Sequence, residues 1–152
     1  MKTEYTCYCG LYCENCAVKV KVVPASKTLY EVMKKAGFEE VIHLIPDGDP
    51  FWSFLKRMAE DGICNSCKAG GGDITCQVRL CAKEKGVDMC ALCESYPCER
   101  FERLFAGHPT LKHDNSVLRD KGMEEWAILQ EARQARGFTY ADNDVIIEND
   151  WT

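Results

Sequence analysis

Apolar positions along the chain fall into a few helical stretches separated by cysteine-bearing loops. Over 27–36, Leu29, Val32, Met33 and Ala36 recur at helical spacing, and Gly37 follows as a stop. The stretch 38–45 is too short to assign between helix and strand, and Pro46 ends it. Asp49 and Pro50 read as a cap followed by proline in a first helical turn. Behind them Phe51, Leu55, Met58 and Ala59 share one face, with Trp52 and Phe54 at its edges, until Gly62 breaks the pattern. Such an aromatic stripe belongs to a core before it belongs to a pocket.

Further on, 76–85 predicts a short helix closed by Gly86. The stretch 97–105 predicts another, with proline near its start and Cys98, Phe101 and Phe105 on one face. The last helix is predicted over 123–136, carrying Trp126, Leu129 and Arg133 and ending at Gly137. Val145, Ile146 and Ile147 could form a short strand. The expected fold is mainly α with little β: a small helical domain, 1–152, whose cysteine knuckle loops hold metal sites. It carries a helical insert over 17–63 and an acidic tail over 141–152.

Composition changes this picture in one respect. Length, apolar content and charged content are those of an ordinary folded domain, but eleven of the 152 residues are cysteine. They are clustered. Cys7, Cys9, Cys13 and Cys16 open the chain, none follows over 17–63, and Cys64, Cys67, Cys76, Cys81, Cys90, Cys93 and Cys98 complete the set. The first ten residues contain no apolar run resembling a signal peptide, and no stretch is long and apolar enough to span a membrane. The expected location is therefore cytoplasmic, where thiols stay reduced; an odd number of cysteines also fits a disulfide framework poorly.

Three pairs have two-residue spacing: Cys13 and Cys16, Cys64 and Cys67, Cys90 and Cys93. That spacing lets a tight turn aim two sulfurs at one ion while backbone amides soften the thiolate charge. With Cys9, Cys76, Cys81 and Cys98 they make ten candidate ligands for two or more Zn2+ ions, and spacing leaves their partition open. Pairing of the N-terminal group with the later cysteines would close the chain over the helical insert. Cys7 lies outside the paired pattern and reads as the free thiol. An iron–sulfur cluster is the alternative cofactor, because four cysteines serve both metals. Cys9, Cys13 and Cys16 also have the three-then-two spacing of radical S-adenosylmethionine enzymes, but the chain is too short for their barrel.

The remaining chemistry is sparse. The formal charge of −5 argues against general binding to nucleic acid. The Gly70–Gly71–Gly72 run lacks the lysine and hydroxyl residue of a phosphate loop. His108 and His113 are placed in a loop and His43 in an apolar run; none is needed as a ligand beside so many sulfurs. No acid–base set or nucleophile constellation points to an enzyme.

The segments Cys9-Gly10-Leu11-Tyr12-Cys13-Glu14-Asn15-Cys16, Gly62-Ile63-Cys64-Asn65-Ser66-Cys67, 76–87 and Cys90-Ala91-Leu92-Cys93-Glu94-Ser95-Tyr96-Pro97-Cys98 resemble a cysteine-rich prokaryotic family. It is the domain-of-unknown-function family numbered thirty-seven ninety-five, and the similarity runs from Cys9 to Tyr140. The resemblance implies zinc binding and no particular reaction. Many members carry a further zinc-ribbon pair at the C-terminus, which this chain lacks. The functional expectation is a binding or adaptor module with structural zinc and an unidentified protein partner, ahead of a redox or metal-handling protein and of an enzyme with an open metal position.

Overall fold

The computed structural model describes residues 5–62 and 64–141. Helices dominate: α1 (Val23–Lys35), α2 (Phe38–Val41), α3 (Gly48–Glu60), α4 (Gln77–Glu84), α5 (Glu102–Gly107) and α6 (Thr110–Ala135). Among the described residues the only extended pairing is an isolated bridge between Thr6 and Tyr12. The chain divides into two units, one formed by Met1–Cys16 with Asn65–Thr152, the other by Ala17–Cys64. The expected strand at Val145–Ile147 and the acidic tail beyond Ala141 lie outside the described residues.

The Ala17–Cys64 unit is built on α1 and α3. Its core is Tyr30, Ile42, Trp52 and Leu55, with the Tyr30 and Trp52 rings 4.9 Å apart. The buried face of α1 is Ser26 and Tyr30, with Met33 beside it, whereas Leu29 and Val32 are exposed. A small serine permits close helix approach, and its hydroxyl donates to the Val22 carbonyl at 2.8 Å, so no polar group is stranded. On α3, Trp52 and Leu55 are buried while Phe51 and Phe54 face outward. Helical periodicity locates both helices and puts Met33, Leu55, Met58 and Ala59 on the core side, but it also puts Leu29, Val32 and Phe51 there, where Ser26, Tyr30 and Trp52 are buried instead.

The other unit has two apolar cores, Tyr12, Met89, Ala91, Leu118 and Trp126 in one, Val78, Ala82, Cys90, Phe101 and Leu111 in the other. Helix α6 contributes to both. It is twice the expected length because the segment around His113, read as a loop, is its first half. The stretch is two helices, 110–121 and 123–135, joined at Gly122, whose φ of 88° suits glycine and turns the chain back so that the halves pack against each other, with Leu118 beside Trp126 and Asp114 beside Arg133. Gly137, with φ of 74°, ends it as expected. The stretch 97–105 splits into a 3-10 turn (Glu99–Phe101) and α5.

A buried polar network fastens the N-terminal segment to α6. Arg133 Nη1 donates to both Asp114 oxygens, at 2.7 and 2.6 Å, and Gln130 Nε2 donates to the same carboxylate at 3.1 Å. Asn15 Nδ2 donates to Gln130 Oε1 at 3.0 Å. The Tyr12 amide donates to the Tyr140 hydroxyl at 2.9 Å, and the Tyr140 amide to the Asn15 carbonyl at 3.0 Å. Burial pushes the Asp114 carboxyl upward, and the Arg133 charge and hydrogen bond oppose that shift. With Arg133 removed, the carboxylate keeps its desolvation and loses its counter-charge. Arg133→Ala is therefore expected to cost about 3–5 kcal/mol of folding stability, read as a lower urea midpoint at constant slope. An unchanged midpoint would show that the network is not structural.

Candidate metal centre

Two groups of thiols form within the unit that joins the two ends of the chain, and all eleven cysteines are outside disulfides. The first group is centred on Cys7. A tight turn produces it: the Gly10 amide donates to the Cys7 carbonyl at 3.0 Å and the Cys7 amide to the Leu11 carbonyl at 2.8 Å. This reversal lays Cys7 beside Cys13, with Sγ atoms 3.6 Å apart. Cys7 also interacts with Cys9 and with Cys67, which arrives from the later cysteine segment. Lys68 docks that segment by donating to Thr6 Oγ1 at 2.9 Å and to Asp88 Oδ1 at 2.7 Å.

Charge within this group is unevenly shared. Hydrogen bonds to Cys13, Cys67 and Cys9, reinforced by burial, hold the Cys7 proton in place. The Cys7 hydrogen bond in turn lowers Cys9, against burial, and lowers Cys67 to about 6. Cys7 thus lies in hydrogen-bond contact with three other sulfurs, of which Cys9 and Cys67 are shifted toward the thiolate. A tetrahedral ion with metal–sulfur bonds of about 2.3 Å separates its sulfurs by about 3.8 Å, close to the Cys7–Cys13 distance. The donor set fits a thiophilic ion such as zinc. Even so, no three histidine, cysteine, aspartate or glutamate side chains among the described residues are already converged on one ion position. Binding would require the sulfurs to close in.

The second group is Cys81, Cys90, Cys93 and Cys98, which line a partly open cavity of about 40 Å³ together with Val78, Tyr96 and Phe101. Cys81 projects from α4, Cys90 and Cys93 flank a 3-10 turn, and Cys98 precedes another. Burial pushes Cys90 up to about 12, and the charges of Cys81, Cys9, Cys93 and Cys98 add to it. Two cations stand against these sulfurs: Lys85 Nζ lies 3.8 Å from Cys93 Sγ, and a hydrogen bond to Cys98 holds Arg100 more firmly protonated.

Helix α6 holds both groups. Asn115 Nδ2 donates to the Cys9 carbonyl at 2.9 Å, and Arg119 Nη1 donates to the carbonyls of Ala91 and Cys93 at 2.7 and 3.1 Å. The Tyr8 carbonyl accepts from the Cys90 amide at 2.7 Å, bringing the groups side by side.

The sequence-derived ligand set is distributed as follows. Cys9, Cys13 and Cys67 fall in the first group, and Cys81, Cys90, Cys93 and Cys98 in the second. Cys16 ends the Cys13–Asn15 turn and Cys76 caps α4; neither lines the cavity of the second group. Cys64 is exposed and closes the Ala17–Cys64 unit. Cys7, read as the free thiol, is instead the hub of the first group. The signal that could have found it is the turn chemistry of Gly10, three residues on. His108 is half-buried against the Tyr140 ring, and burial lowers its pKa, while His43 lies in a 3-10 turn of the other unit.

The family described as a protein of unknown function, DUF3795, matches residues 5–103, and this chain belongs to it. No curated protein and no solved structure matches the chain. No described helix is long and apolar enough to cross a membrane.

Gly10 belongs to the matched region and is the tightest point of the first group. Its φ is 98°, and a Cβ there would run into the Asn115 side-chain amide. Gly10→Ala is expected to destabilise the fold by about 1–3 kcal/mol through backbone strain and this clash. Wild-type thermal stability in Gly10→Ala would show that the turn tolerates another geometry.

Proposed function

We propose that the protein is a thiolate metal-binding module in which zinc at Cys7, Cys9, Cys13 and Cys67 stabilises the fold, and whose acidic surface meets a protein partner. One observation carries this reading. Cysteines from the N-terminal turn and from the segment after the helical unit gather about Cys7, with Cys13 at 3.6 Å and Cys9 and Cys67 in hydrogen-bond contact, a soft-donor set at the separation that a thiophilic ion requires. The immediate role of an ion here is to link distant parts of the chain. Structural zinc of this type contributes roughly 10–16 kcal/mol to folding near neutral pH. That is as large as the whole net stability of a typical domain.

The test is metal analysis of the untagged chain purified without oxygen. Zinc is expected in the wild type, and its content should fall by one ion per chain in Cys13→Ser and in Cys67→Ser. A strong chelator should remove it together with the helical circular dichroism and the protease resistance of the cysteine-rich unit. A chain that binds no zinc and keeps both properties in chelator would refute the reading.

A further inference from the structure

The two thiol groups differ in size. In the first, Cys7 and Cys13 are in sulfur–sulfur contact at 3.6 Å. In the second, four cysteines line an open cavity, and no three ligand side chains among the described residues converge on one ion position there. The cavity they line is roughly three times the 10–15 Å³ that admits one water. A four-coordinate zinc ion would require this cavity to collapse, because its ligands touch the ion and nearly touch each other. In a four-iron cubane each cysteine binds a different corner of the cube, so the thiolates are held apart around a core several atoms wide.

The rest of the lining agrees with a bulky, anionic, oxygen-shy occupant. Val78, Ala82, Val87 and Phe101 supply apolar walls, as suits a cluster whose sulfides are poorly hydrated. Lys85 and Arg100 supply positive charge beside Cys93 and Cys98. Four thiolates on a cubane core with two positive charges leave a net charge of about −2, which these two cations offset. The Arg119 hydrogen bonds to the Ala91 and Cys93 carbonyls fix the Cys90–Cys93 turn from behind, so the opening is held by α6 and not by the sulfurs themselves.

The geometry points to a [4Fe–4S] cluster bound by Cys81, Cys90, Cys93 and Cys98, distinct from the single-ion group at Cys7. On transfer from a carrier protein that holds the cluster through its own thiolates, each of the four cysteines forms one iron–sulfur bond as one iron–carrier bond breaks, and its proton passes to the departing thiolate. The cluster itself is delivered ready-made, so no electron transfer is needed at this step.

The full chain, expressed with iron supplied and purified without oxygen, decides the matter by iron, acid-labile sulfide and zinc per chain. About four iron and about four sulfide are expected, with the brown absorption of a cluster. Both should be lost in Cys93→Ser and Cys98→Ser and kept in Cys13→Ser. A colourless chain, iron without sulfide, or zinc that disappears in Cys93→Ser would overturn the proposal. So would iron that survives in Cys93→Ser and Cys98→Ser but leaves in Cys13→Ser. Where a variant fails to fold, anomalous diffraction at the iron edge of wild-type crystals gives the answer, since iron elsewhere than between these four sulfurs is equally fatal. Zinc reports on the Cys7 group and iron with sulfide on this one, so the two assignments fail separately.

Discussion

The ion pair between Asp114 and Arg133, buried within α6, is the point from which the cysteine-rich unit is organised. A carboxylate deprived of water is held only because a guanidinium and an amide saturate it. Those same groups continue outward through Gln130 to Asn15 and through Tyr140 to Tyr12. The consequence is directional. A hydrophobic contact would hold the N-terminal turn near α6 at any of several angles, whereas this chain of hydrogen bonds accepts one. Two thiol groups that must present sulfurs in a set arrangement need that kind of constraint.

Helix α6 extends the constraint to the rest of the unit. Asn115 holds the Cys9 carbonyl, Arg119 holds the Cys90–Cys93 turn, and Leu118 and Trp126 pack beneath Tyr12 and Met89. The cysteine loops bury Tyr12, Met89 and Ala91 against this helix, so their positions are set by an element that carries no cysteine. The turn at Gly122 brings the two halves of that helix against each other, so that Asp114 on one meets Gln130 and Arg133 on the other, which a straight rod of the same length would keep far apart.

The helical character of the chain was legible in its sequence because periodicity, prolines and stop glycines agree over α1, α3, α4 and the second half of α6. What was not legible has physical causes. Periodicity puts Leu55, Met58 and Ala59 on the core side of α3 as found, whereas Leu29, Val32 and Phe51 turn outward because packing favours the small Ser26, Tyr30 and the broad Trp52 indole. The first half of α6 looked like a loop because Pro109, two histidines and Asn115 mask its pattern. Pairwise spacing marks ten cysteines as a set and leaves Cys7 apart, because Cys7 is brought to its neighbours by a turn and not by a two-residue interval. The network of Asn15, Gln130 and Tyr140 leaves no local trace at all: its partners are more than a hundred residues apart.

The first thiol group draws on both ends of a long interval, and this imposes a timetable. A ribosome adds roughly 5–20 residues per second, so Cys7, Cys9 and Cys13 emerge several seconds before Cys67 exists. Helix α6, which clamps them, is made later still. During that interval the early sulfurs sit on an unfinished chain, accessible to any oxidant or stray metal. The intervening Ala17–Cys64 unit, whose core is entirely its own, can complete its packing while they wait. The order of synthesis thus separates the part of the molecule that folds on apolar contacts from the part that must be assembled around its sulfurs.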